Sequence, residues 1–307
     1  MNADRYRGCL LGLACGDAVG TTVEFKSRGT FSPITDMVGG GPFGLKPGEW
    51  TDDTSMALCL GTSLIECAGF DPADQMERYC RWQREGYLSS NGRCFDIGNT
   101  VSGALARFRK SAEPFSGATD PMSAGNGSIM RLAPVVMFSA PDAAAVQHYA
   151  AESSRTTHGC DEAVDACHLL SAVLLQALAG TPKEEILTVD LQPRRDGRDL
   201  CASITSIRRG DHRDKWEAEI RGTGYVVESL EAAMWCFATT DSFRDAILRA
   251  TNLGDDADTT AAICGQIAGA YYGAEGIPAA WKDQLTMAAE ICELADALQK
   301  AQAPDSI

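Results

Sequence analysis

The chain has 307 residues, of which 45% are hydrophobic, and a formal net charge of −15. That length and apolar share suffice for one sizeable core, and a single domain over residues 1–307 is expected. The acidity argues against nucleic acid as a partner, since a nucleic-acid binder presents a basic face, and against docking on an anionic membrane.

Residues 3–19 place Tyr6, Cys9, Leu10, Leu13 and Ala14 in helical rhythm. Gly8, Gly12 and Gly16 recur along the same helix, a smooth ridge that predicts close packing against another helix. The run from Cys9 to Gly16 is too short to span a membrane and lacks a signal-peptide cleavage pattern. Residues 26–49 are rich in Gly and Pro, with Gly39-Gly40-Gly41-Pro42 at their centre, and a loop this long is expected to serve function. Helices are then predicted from about Thr51 to Ala68, from Asp71 to about Gly86, and over Asn99–Arg109, Ser128–Phe138, Ala143–Thr156 and Asp161–Ala179. Residues 180–222 are more polar, with the basic pairs Arg194-Arg195 and Arg208-Arg209, and predict a surface helix and no strand. Tyr225–Phe237, Ser242–Thr251, Thr259–Tyr272 and Trp281 to about Ala301 complete the series. The expected fold class is all-α, a compact orthogonal bundle of about ten to thirteen helices with long active-site loops. The 12 cysteines lie singly, with Cys59 and Cys67 on one face and Cys160 and Cys167 on another. Without CxxC or a cysteine–histidine cluster they predict reduced, buried thiols and a cytoplasmic chain.

Two acidic strings carry the chemistry: Thr51-Asp52-Asp53-Thr54 and Asp255-Asp256-Ala257-Asp258-Thr259, each opening an apolar helix. Carboxylates and hydroxyls are hard ligands suited to Mg²⁺, Mn²⁺ or Ca²⁺, and neither string holds a histidine or cysteine for zinc or copper. Such strings also cap helices, but a cap needs one side-chain oxygen rather than several in succession. Their apolar flanks (Met56, Ala57, Leu58; Ala261, Ala262, Ile263) predict burial, where unpaired charge is costly. Brought together, Asp52, Asp53, Asp256 and Asp258 would balance two divalent cations; without metal, some of them must take up protons.

Further candidates surround these strings. Glu24, just beyond Gly16-Asp17-Ala18-Val19-Gly20, could join the cluster, act as a base, or be a plain surface glutamate. Gly125-Asn126-Gly127-Ser128-Ile129-Met130-Arg131 fits a phosphate cradle at a helix start and equally a turn with a cap. Phe95-Asp96-Ile97-Gly98-Asn99-Thr100 leads into a helix in the same way. His158 stands at a helix boundary, where a structural hydrogen-bonding role is the commoner one.

Taken in order, these segments resemble the ADP-ribosylglycohydrolase family, which includes the dinitrogenase-reductase-activating glycohydrolase and the ADP-ribosyl-arginine hydrolases. The resemblance is carried by Arg7-Gly8-Cys9-Leu10-Leu11-Gly12, Gly16 to Gly20 with Glu24, Gly48-Glu49-Trp50-Thr51-Asp52-Asp53-Thr54, Asp96 to Thr100, Gly125 to Arg131, Thr157-His158, Gly222 to Val227, and Gly254 to Thr259. It implies an all-α fold around a binuclear Mg²⁺ or Mn²⁺ centre held by Thr51, Asp52, Asp53, Asp256, Asp258 and Thr259, with Asp53 or Asp258 able to bridge. It implies Asp96 and Glu24 as the acid–base candidates, Asp96 matching an aspartate associated with arginine-directed bacterial enzymes. Gly125, Asn126, Gly127, Ser128 and Met130 would hold the diphosphate or distal ribose, His158 would line the same cleft, and Tyr225 would lie against the adenine. Gly98, Asn99 and Gly222 fall in matching motifs and are expected to bind substrate as well.

The implied reaction is hydrolysis of the N-glycosidic bond of mono-ADP-ribosylated arginine on a protein, with ADP-ribose as product. A serine- or O-linked substrate, a small ADP-ribosyl metabolite, or a non-catalytic member of the fold are the alternatives. One departure stands out: many members carry Gly-Gly-Asp where this chain has Gly254-Asp255-Asp256.

Overall fold

In the computed structural model, residues 2–193 and 196–301 are described; Arg194 and Arg195 of the basic run lie outside them. Among the described residues there are fourteen α-helices and no named strand. They are α1 (Ala3–Gly20), α2 (Asp52–Glu66), α3 (Pro72–Glu85), α4 (Asn99–Ser111), α5 (Ala133–Ser139), α6 (Ala143–Arg155) and α7 (Asp161–Ala179). The second half holds α8 (Lys183–Ile186), α9 (Ala202–Arg209), α10 (Val226–Ala238), α11 (Phe243–Thr251), α12 (Ala257–Tyr272), α13 (Ala279–Gln284) and α14 (Ala288–Lys300). The number passes the ten to thirteen expected because residues 180–222 hold two short helices, α8 and α9, where one was predicted, and the last predicted helix is divided into α13 and α14.

Small residues decide what lies at the centre. A Cβ added at Gly8, Gly12, Gly16 or Gly20 of α1 would stand 2.3, 2.3, 2.1 or 2.4 Å from a backbone oxygen of Gly269, Gly265, Ala261 or Ala257 on α12. The two helices therefore run antiparallel with their backbones nearly touching, and α12 returns the fit: a Cβ at Gly265 or Gly269 would meet the Gly12 or Gly8 carbonyl at 2.1 or 2.0 Å. The glycine ridge thus has a partner ridge, and Gly20 extends it to the end of α1. Both helices are buried along nearly their whole length. The crossing sets the C-terminal end of α1 against the N-terminal end of α12, which carries the second acidic string.

α7 is apolar enough along its length to cross a membrane, but most of it is inside the core, where it packs on α6, α10 and α12. Eight cysteines are buried and all twelve are free; Cys67, on the exposed end of α2, departs from the burial expected of it.

Two predicted helices are corrected. The stretch expected as a helix over Ser128–Phe138 is a turn through residues 127–131, and α5 begins only at Ala133. Pro134 lacks an N–H and suits a helix start. The buried Gln266 side chain takes over the missing bonds, accepting from Ala133 N and donating to the Ile129 and Met130 carbonyls. The last helix, expected from Trp281 onward without interruption, is broken between α13 and α14, with Leu285 extended and Met287 at φ 58°. The break is filled by the loop ahead of α2: Thr286 N donates to Gly48 O, and Trp50 Nε1 donates to Thr286 O. The interrupted helix thereby anchors the peptide that enters Thr51.

Candidate active site

The α1–α12 crossing delivers Asp17 and the segment leading to Glu24 to the same place as Asp256 and Asp258. α2 reaches that place through Asp17, which is buried and accepts four hydrogen bonds. Its Oδ1 takes Thr51 N (2.8 Å) and Thr51 Oγ1 (2.9 Å), and its Oδ2 takes Thr54 N (3.1 Å) and Thr54 Oγ1 (2.6 Å). Thr51 Oγ1 then lies 3.4 Å from Asp53 Oδ2 and 3.3 Å from Asp258 Oδ2. Thr259 Oγ1 approaches the same Asp53 oxygen at 3.4 Å. The two acidic strings, distant in sequence, meet in space.

The carboxylates form two overlapping groups, Asp17–Asp53–Asp258 and Glu24–Asp96–Asp258, each with one oxygen per residue within 4.8 Å of the others. Asp258 belongs to both. Burial, with neighbouring carboxylates second, raises Asp52, Asp53 and Asp258 well above the usual carboxylate range. Burial and then the Asp96 charge push Glu24 up to about 9, and burial raises Asp96 to about 7. Asp256 is raised by burial against the pull of Asn126, whose Nδ2 donates to its Oδ2 at 2.7 Å. Asp53 Oδ1 and Glu24 Oε2 are buried without a hydrogen-bond partner. An all-oxygen donor set with orphaned carboxylate atoms, held where negative charge is disfavoured, fits hard divalent cations.

Above this floor opens a cavity of about 480 Å³, a volume usual for a small-ligand pocket. Its walls come from segments that backbone bonds tie together. Phe25 N and Asp255 O pair, as do Asp255 N and Lys26 O; Asn126 N donates to Gly224 O, Val226 N to Ala124 O, and Asp256 N to Gly222 O. Asp96 at φ 60° and Asp255 at φ 55° occupy the left-handed region, which aspartate tolerates better than most residues. At Asp255 this conformation is one that glycine adopts without strain, and the Asp255 carboxylate is not part of the cavity lining. Phe25, 68% exposed, forms part of the rim and packs edge-on to Phe43, which in turn packs on Phe95.

The expected site residues separate into three sets. Glu24, Asp52, Asp96, Gly98, Asn99, Gly125, Asn126, Gly127, Met130, His158, Asp256 and Thr259 line the cavity. Thr51, Asp53 and Asp258 are buried with the carboxylate groups beneath it. Three expected substrate contacts lie outside the lining. Ser128 is buried. Gly222 abuts Thr260, 2.6 Å from where its Cβ would stand, and its carbonyl positions Asp256. Tyr225 is half-exposed, bridges Gly125, and gives its hydroxyl to Glu162 at 2.7 Å, so it marks the rim and not the wall. At Gly127 a Cβ would stand 2.8 Å from His158 Cε1, so this glycine also makes room for the imidazole.

Sequence reasoning missed Asp17. Its signal was a single charge inside a ridge of glycine and alanine, with no cation at helical spacing to pair with it. It also missed Arg131 and Thr157, buried beneath His158.

The ADP-ribosylglycohydrolase family model matches residues 1–306. The chain is 45% identical to an ADP-ribosylarginine hydrolase Tri1 of Serratia proteamaculans (strain 568), over 96% of this chain and 79% of that protein. It is 32% identical to an ADP-ribosyl-[dinitrogen reductase] glycohydrolase of Rhodospirillum rubrum, over 94% of this chain and 92% of that protein. Among solved structures, an ADP-ribosylglycohydrolase-related protein complex matches with TM-score 0.85 and 42% identity, covering 97% of this chain and 98% of the other.

Proposed function

We propose, from the premise that this chain belongs to the ADP-ribosylglycohydrolase family, that it hydrolyses the N-glycosidic bond of ADP-ribosylated arginine on a protein. The products are ADP-ribose and the unmodified arginine. The observation that carries this reading is the cavity itself, with a carboxylate cluster centred on Asp258 at its floor and Asp96 in its wall.

Thr51, Asp52, Asp53, Asp256, Asp258 and Thr259 would hold two Mg²⁺ or Mn²⁺ ions, Asp258 being common to both carboxylate groups. Divalent cations supply polarisation of ribose hydroxyls and a water of lowered pKa. The remaining work falls to the chain. Hydrolysis breaks the bond from C1″ to the guanidine nitrogen and forms one from C1″ to the water oxygen, and a water proton ends on the departing nitrogen. Carboxylates beside C1″ suit the oxocarbenium-like state between. Asp96, in the cavity wall, is placed to pass that proton, and its negative form attracts the guanidinium. Glu24, within the same group, is the second acid–base candidate. The start of α4 at Gly98 and Asn99, together with Gly127, offers backbone N–H groups to the diphosphate.

The single buried core cluster supports reading residues 1–307 as one domain, and twelve free cysteines support a reducing cytoplasm. The deciding experiment measures ADP-ribose released from arginine-modified and from serine-modified protein, with and without a chelator. Release from the arginine linkage alone, abolished by chelation, is expected; preference for serine, or indifference to chelator, overturns the reading.

A further inference from the structure

Arg131 is fully buried, and among the described residues no carboxylate pairs with it. Its guanidinium stacks on the Tyr79 ring, 4.7 Å from the centroid, and reaches the Thr157 hydroxyl at 2.6 Å and, more weakly, the Ser153 carbonyl at 3.5 Å. A buried cation without a counter-charge is costly, which makes its position informative. Thr157 Oγ1 stands 2.9 Å from His158 Nδ1.

Proton bookkeeping then fixes the ring. A guanidinium only donates, so the Thr157 oxygen accepts from Arg131. The Thr157 hydroxyl proton has one acceptor among the described residues, His158 Nδ1. Burial, and next the Arg131 charge, lower the His158 pKa to about 3, so the ring is neutral near pH 7. A neutral ring accepting at Nδ1 carries its proton on Nε2. That atom faces Gly125 and Gly127, whose added Cβ atoms would lie 3.3 and 3.2 Å from it, on the cavity wall. The backbone holds the ring there: His158 N donates to Ser154 O, Ser154 Oγ to His158 O, and Gly159 N to Ala118 O.

The cavity has a corresponding need. None of its lining side chains is lysine or arginine, while several are carboxylates. We infer that Arg131 and Thr157 are positioning residues that lock His158 in the Nε2–H tautomer, making it a fixed neutral donor to a diphosphate oxygen of ADP-ribose. The buried Arg131 polarises the Arg131–Thr157–His158 chain toward the anion. This inference rests on the proposed substrate.

The test begins with long-range ¹⁵N–¹H spectra of the wild-type protein at about pH 7, the His158 signals being assigned by their loss in His158→Gln. Nε2 protonated and Nδ1 bare is the expected pattern; a protonated Nδ1 overturns the relay whatever the protein binds. Thr157→Val is expected to mix the tautomers and raise KM for ADP-ribosyl-arginine about tenfold with kcat within about twofold, and Thr157→Ser to restore both. A Thr157→Val protein with wild-type KM overturns the inference. Calorimetry of wild type with ADP-ribose separates the two layers: the Nε2–H tautomer without any ADP-ribose affinity overturns the substrate reading, and with it the role given to His158.

Discussion

At the scale of single residues, the site is a contest between burial and charge. Asp96 is the carboxylate we propose for proton transfer: it lines the cavity and shares a group with Glu24 and Asp258. Asp96→Asn keeps its shape and removes that capacity. We expect kcat on ADP-ribosyl-arginine to fall about 10²–10³-fold, with a smaller rise in KM from the lost attraction; a loss confined to KM would leave Asp96 a binding residue only. Asp17 acts one step away, gripping Thr51 and Thr54 with both oxygens. In Asp17→Asn the new amide would turn donors toward donors. Mn²⁺ affinity, measured by titration, should fall about 10–100-fold, the usual effect of losing a group that orients ligands; unchanged affinity would remove Asp17 from the site. The acidic strings could be read from sequence because several adjacent oxygens exceed what a helix cap requires. Asp17 could not, because its partners are backbone and hydroxyl donors that only the fold assembles.

At the scale of elements, the site exists because α1 and α12 touch. Gly16→Ala would press a Cβ to 2.1 Å from the Ala261 carbonyl, with backbone on both sides and no flexible side chain to yield. Overpacking of this kind should cost about 3 kcal/mol in denaturant unfolding and weaken Mn²⁺ binding as the acidic ends separate. Gly29→Ala is the control for glycine loss: it has open space, and only its φ of 79° opposes the change. Equal losses at both positions would contradict the packing argument. The ridge on α1 was legible as a spacing of glycines, and most long helices followed from apolar period and caps. The failures have physical causes. A buried glutamine side chain replaced a turn of helix before α5, and a loop from far away filled the gap between α13 and α14. Tertiary bonds of that sort leave no local period to read.

At the scale of the whole molecule, the acidic cluster sets a balance between protons and metal. Asp52, Asp53, Asp258, Glu24 and Asp96 all have folded-state pKa values above the usual carboxylate range. A carboxyl raised on folding stabilises the folded state below its unfolded value, near 4, and that contribution is lost as pH climbs through the folded value. Metal-free protein should therefore lose stability between about pH 5 and pH 9, and added Mg²⁺ or Mn²⁺ should restore it. Thermal unfolding is expected to show a larger rise in Tm on cation addition at about pH 8.5 than at about pH 5.5, with protons released to the buffer on binding. A gain that shrinks with rising pH would contradict the coupling. The overall charge of −15 thus includes a concentrated part with its own chemistry.

The central claim is that the N-terminal ends of α2 and α12 together hold hard cations. Anomalous diffraction from crystals grown in excess manganese tests it most directly. Manganese peaks contacted by both Asp53 and Asp258 are expected; peaks located elsewhere, or none at that meeting point under saturating metal, would rule out a shared cation site.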